Sequence, residues 1–130
     1  MKEYACERLY RDARILSIYE GTSQLQVVAA IKGIANGAYV KLIADYDAQA
    51  AQVATEGEMA ECLAQLRERS REYEELHAKA TANGTTDPLF DHMARKLTEH
   101  LATTIMGYLL LMDAAREPRY LESAKWFLEK

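Results

Sequence analysis

The chain has 130 residues, 49% of them hydrophobic and 28% charged, with a formal net charge of −4. That length supports one domain with a modest core. The acidic balance offers no field to attract phosphate, so nucleic acid is not an expected partner, and no apolar run reaches the roughly 18 residues of a membrane span.

Only six glycines and two prolines are present, while Ala, Glu, Leu, Lys and Arg abound, a composition that favours helix. Met1-Lys2-Glu3 leads into charged rather than apolar residues, so no secretory leader is expected. Cys6 and Cys62 lie far apart and are expected as free thiols of a reducing, cytoplasmic compartment.

Residues 4–16 are dense in charge, with Leu9, Ala13 and Leu16 at helical spacing, and predict a short helix that loosens near Arg14. Arg8, Arg11 and Arg14 share one side of it. Two readings stand: a solvated face, or a side that pairs with acids of a neighbouring domain or subunit. Residues 17–21, Ser-Ile-Tyr-Glu-Gly, break the helical pattern. A new helix starts at once, with Thr22 or Ser23 as cap and Ser23-x-x-Gln26 in the form of a capping box. Leu25, Val28, Ile31, Ala35, Tyr39, Leu42 and Tyr46 continue its apolar stripe. Gly33, Asn36 and Gly37 interrupt that stripe, either as a kink or as small residues beneath a neighbouring helix.

This helix is expected to stop between Gln52 and Gly57. Thr55-x-x-Glu58 reads as a second capping box before the stripe Met59, Leu63, Leu66, Tyr73, Leu76 and Ala80. The opposite face, from Arg67 to Glu75, reads as solvated and locally ion-paired. Asn83-Gly84 supplies a stop and Asp87-Pro88 a start. Phe90, Met93, Leu97, Leu101, Ile105, Tyr108 and Met112 form the next stripe, and Glu117-Pro118 opens a last short helix. The fold class is therefore all-α: an up-and-down antiparallel bundle of three long helices, preceded by a segment cut from a larger helical domain.

Few constellations carry chemistry. His92 and His100 stand eight positions apart, about 12 Å along one helix, too far to share a metal, and neither they nor His77 have ligand spacing. No metal site is expected. Neither a nucleophile elbow nor a phosphate loop is present. That leaves Glu20, beside Gly21 at a helix entrance. Its carboxylate favours the positive end of the helix dipole. The same carboxylate, dried by a ligand, can serve as a general base, and the free N–H groups of the entrance suit an anionic or polarised group.

The residues from Glu7 to Arg14, Glu-Arg-Leu-Tyr-Arg-Asp-Ala-Arg, and from Ile18 to Gln26, Ile-Tyr-Glu-Gly-Thr-Ser-Gln-Leu-Gln, resemble the C-terminal signature of the acyl-CoA dehydrogenase family. The resemblance implies that Glu20 is the catalytic base, removing the α-proton of an acyl-CoA thioester while the β-hydrogen leaves as hydride to FAD. It implies that Gly21 lies against the substrate and that Thr22, Ser23 and Gln24 contact FAD. It further implies fatty acid β-oxidation as the setting, electron-transfer flavoprotein as acceptor, and a homodimer or higher oligomer. One departure stands out: Val27 occupies a position where family members often carry arginine.

The stretch beyond this helix is similar to the extra C-terminal helical domain of longer family members. The implied division is 1–45, the end of the catalytic helical domain, and 46–130, the extension. The family's β-domain has no counterpart here. The chain is thus expected to be a C-terminal fragment that holds no FAD and is inactive alone. An interaction module that serves dimerisation or docking is the alternative. Acyl chain-length preference is not legible, because the cavity that sets it is not in this chain.

Overall fold

A computed structural model describes residues 5–16 and 23–129, and of Ala5 and Gln24 the helix position alone. The stretch from Ser17 to Thr22, with Glu20, Gly21 and the Thr22 cap, lies outside the described residues. Those residues form six α-helices and one 3-10 turn, with no strand among them. They are α1 (Ala5–Ile15), α2 (Ser23–Ala35), α3 (Ala38–Val53), α4 (Gly57–Thr81), α5 (Pro88–Arg116) and α6 (Leu121–Leu128). The 3-10 turn, Pro118–Tyr120, leads into α6.

Helices α3 to α6 run up, down, up, down. Asp47 meets Arg67, and the Ile34 carbonyl just before α3 meets His77, so α3 and α4 are antiparallel. Leu66 lies against Gly107 and the Tyr73 ring stacks on His100, so α4 and α5 are antiparallel too. The stripes expected on α4 and α5 face the core, with Leu66, Tyr73, Leu97 and Tyr108 fully buried, but at the end of α5 the fully buried residue is Leu111 and the expected Met112 is half-buried. Asp87 caps α5 by accepting from the Leu89 amide at 2.7 Å, with Pro88 in the first turn.

Two expectations change. The helix read from Leu25 to Tyr46 is two helices, because α2 and α3 meet at 82°. Both readings of its small residues hold. Gly37 adopts φ +71 and forms the corner, a conformation costly for a residue with a Cβ. Gly33 is a close approach, since a Cβ there would lie 2.6 Å from Tyr39 Cε2. The start of α4 also moves. Its cap position is Glu56, without a side-chain hydrogen bond, so Thr55 does not form the expected box. The described part of the chain contains no single helix long and apolar enough to cross a membrane.

The charged face of α4 is solvated as expected, with Arg71 paired to Glu68, but two of its arginines reach other helices. Arg67 donates to both oxygens of Asp47 on α3, at 2.8 and 3.1 Å. Tyr108 donates to the same carboxylate at 3.2 Å, and its oxygen lies 3.1 Å from Ser70 Oγ. One carboxylate thus joins α3, α4 and α5. The Arg67 guanidinium holds the Asp47 carboxyl below its ordinary range against the opposing pull of partial burial. Arg69 donates to the Leu128 carbonyl at 2.7 Å and closes the end of α6. Lys125 on α6 donates to Glu58 on α4 at 2.5 Å.

Gly107 is buried in mid-α5 because α4 and α6 press on it. A Cβ there would lie 2.5 Å from Leu66 Cδ2 and 3.2 Å from Leu128 Cδ2. Gly107→Val is therefore expected to destabilise the bundle by about 1–3 kcal/mol, read as a lower melting temperature by circular dichroism. An unchanged melting temperature would contradict this packing.

Asp47 gives a second prediction, for acid. Its folded pKa lies below its unfolded one, so its contribution is complete above the ordinary carboxylate range and fades as pH falls through the folded value. In urea titrations, Asp47→Asn is expected to be less stable than the native chain near neutral pH. The gap should close below about pH 4. A gap that stays constant into acid would show that the Asp47 charge adds nothing to stability.

Candidate functional site

The site region is the junction between the end of α1 and the start of α2. Helix α1 carries its own local ion pairs, Arg11 with Glu7 at 2.7 Å and Arg8 with Asp12 at 3.7 Å. That is the solvated-face reading for these two arginines. The apolar residues of α1 are not covered by the bundle: Leu9 is 69% exposed, Tyr10 71% and Leu16 74%. The stripe of α2 divides along its length. Leu25 and Val28 are exposed, while Ile34 is fully buried.

Ser23 is the first residue of α2 and is exposed. It lines a cleft of about 380 Å³ with Leu16, Gln26 and Val27, closed on the other side by Arg95, Thr98 and Ala102 of α5. Arg95 is held by Glu99 at 2.7 Å, so its charge is already answered within α5. The Ser23 hydroxyl and the amides of a first helical turn suit a polar edge of a ligand. A whole flavin needs far more surface than this cleft offers. The described residues fit one edge of such a group and no more.

Of the residues expected at the site, the structure places Ser23 at the mouth of the cleft and Gln24 next to it on α2. Glu20, Gly21 and Thr22 fall outside the described residues, in the stretch that joins Leu16 to Ser23. Val27, the departure from the family pattern, lines the cleft.

The titratable groups elsewhere have structural roles. His77 Nε2 donates to the Ile34 carbonyl at 2.7 Å, and His100 Nε2 to the Arg69 carbonyl at 2.9 Å. His92 is exposed. Cys6 is an exposed free thiol; Cys62 is a buried one, and burial pushes its pKa up, the reverse of an activated nucleophile. Sequence reasoning missed the role of His77, because its partner is a backbone carbonyl that no residue type announces.

Comparison with known proteins agrees with this anatomy. Residues 1–35 match the family described as acyl-CoA dehydrogenase, C-terminal domain, and residues 35–130 match the family described as acyl-CoA dehydrogenase C terminal. Two curated relatives share a short stretch. One is the caffeyl-CoA reductase-Etf complex subunit CarC of Acetobacterium woodii, 65% identical over 26 residues. The other is a 3-(aryl)acrylate reductase of Clostridium sporogenes, 62% identical over 26 residues. Each match covers 20% of this chain and 7% of the relative, so the chain aligns with only a small part of either protein. No solved structure matches the chain. The chain belongs to the acyl-CoA dehydrogenase family and carries C-terminal helical sequence of that family.

Proposed function

We propose that this chain is the C-terminal part of an FAD-dependent acyl-CoA dehydrogenase in which Glu20 is the general base. The observation that carries the reading is the unbroken Ile18-Tyr-Glu-Gly-Thr-Ser-Gln stretch at the entrance of α2, inside a segment that matches the family. Residues 1–45 complete a catalytic helical domain and residues 46–130 form a helical extension. The change of family description at residue 35 and the corner at Asn36–Gly37 favour a division ahead of α3, about ten residues before position 45.

The chemistry follows from residue types. The α-proton of a thioester is weakly acidic, so the carbonyl must be polarised by fixed donors before a carboxylate can take the proton. Glu20 removes that proton and Gly21, without a side chain, lets the acyl chain approach the backbone. Thr22, Ser23 and Gln24 would hold the flavin edge through hydroxyl, amide and first-turn N–H groups. A bound flavin supplies the hydride acceptor for the β-hydrogen. Excluding water raises the basicity of Glu20, which requires covering the exposed apolar residues of α1 and early α2 with other parts of the enzyme. Alone, the chain has a base and no hydride acceptor, and it is inactive.

The names of the two relatives favour a second reading of the same site, in which the reaction runs as a reduction. In that direction a reduced flavin would supply the hydride for the β-carbon of an unsaturated acyl-CoA, and Glu20, protonated, would return the proton to the α-carbon. Electron-transfer flavoprotein is the proposed redox partner in either direction, in line with the Etf complex named for the Acetobacterium woodii relative.

In the full-length enzyme, Glu20→Gln is expected to reduce turnover by at least about a hundredfold, the scale of a lost general base, with the flavin absorbance unchanged. Turnover near the native rate in a flavin-loaded Glu20→Gln enzyme would remove Glu20 from the role. Comparing saturated and α,β-unsaturated acyl-CoA as substrates separates the two directions.

A further inference from the structure

We propose that His77 is a positioning residue through which the helical extension fixes α2, and with it the Glu20 stretch; the proposal rests on the reading of Glu20 as the base. The two ends of α2 differ sharply. Its first turns face α5 across the cleft on one side and leave Leu25, 58% exposed, and Val28, 50% exposed, on the other. Its last turn is held on several sides. The Ile34 side chain is fully buried. The Ile34 carbonyl accepts from the Gly37 amide at 3.1 Å and from His77 Nε2 at 2.7 Å. The Gly33 backbone lies against the Tyr39 ring.

His77 belongs to α4, in the extension, and is 43 positions from its partner. Because a carbonyl only accepts, Nε2 carries the proton, a role open to the neutral ring and to the cation alike. The ring is packed in place. Fully buried Tyr73, one turn earlier, has its centroid 6.1 Å from that of His77 and 6.3 Å from that of His100, which is itself anchored on the Arg69 carbonyl.

The extension thus holds the C-terminal end of α2, while α5 faces its first turns. At 1.5 Å per residue α2 is about 18 Å long. A tilt of about 3° at its held end moves Ser23 by about 1 Å, a displacement that can cost a well-aligned reaction up to about a hundredfold. The extension acts on the site by limiting that tilt, without touching the substrate.

The test compares His77→Ala, His77→Gln and His77→Asn. Gln carries an N–H donor at nearly the reach of Nε2, whereas Asn ends near the position of Nδ1. Amide hydrogen exchange on this chain is the first measurement. In the Ala and Asn variants the amides of Gly37 and of α2 should exchange at least about tenfold faster than in the native chain, with those of mid-α5 unchanged, while Gln restores the native pattern. Exchange in α2 that is the same in all four proteins would overturn the latch.

The second measurement is turnover of the flavin-loaded full-length enzyme, well below its melting temperature. Ala and Asn should lower kcat about tenfold at nearly constant KM, and Gln should stay within about twofold of native. Native kcat in the Ala variant, with Glu20→Gln inactive, would overturn the positioning role. Full activity of Glu20→Gln would instead overturn the reading of the base and with it the catalytic purpose of the latch. The exchange measurement distinguishes that failure, because it does not depend on catalysis.

Discussion

The Asp47 carboxylate sets how the long helices stand against one another. Leucine and tyrosine stripes make three helices pack, but such stripes tolerate a slip of one turn at modest cost. A carboxylate that accepts two bonds from Arg67 and one from Tyr108 does not tolerate it, because each donor comes from a different helix and has a short reach. The Tyr108 side chain is fully buried, and its hydroxyl needs a partner there. Losing Asp47 leaves that hydroxyl with Ser70 alone, itself turned towards the Leu66 carbonyl.

With α3, α4 and α5 in register, the remaining contacts follow. Gly107 comes level with Leu66 and Leu128, which lets α6 close on the bundle. Lys125 and Arg69 then secure α6 at its middle and its end. On the other side, His77 arrives opposite the corner at Gly37 and takes the Ile34 carbonyl. The residues that set the bundle register therefore also set where the last turn of α2 stands.

The bundle was largely legible in the sequence. The stripes of α4 and α5, the Asp87-Pro88 start and the Gly84 stop depend on local periodicity and capping, and these act through nearest neighbours along the chain. The corner at Asn36–Gly37 was visible only as an interruption, because whether small residues bend a helix or admit a neighbour depends on tertiary contacts; here Gly37 bends and Gly33 admits Tyr39. Thr55 had the spacing of a cap, yet the chain reaches α4 through an extended Glu56 and a left-handed Gly57, and that geometry overrides the motif. Arg67 looked like a member of a solvated face, and His77 only like a histidine without ligand spacing, because their partners lie on other helices. As for the site, spacing alone left Glu20 between a dipole partner and a base, and the family resemblance carried it further.

The proposed transfer of the α-proton by Glu20 is tested most directly by incubating the flavin-loaded full-length enzyme with an acyl-CoA in deuterated water and following deuterium into the α-carbon by mass spectrometry. Incorporation is expected with the native enzyme, and a loss of it in Glu20→Gln at unchanged flavin content. Incorporation at the native rate in Glu20→Gln would contradict it.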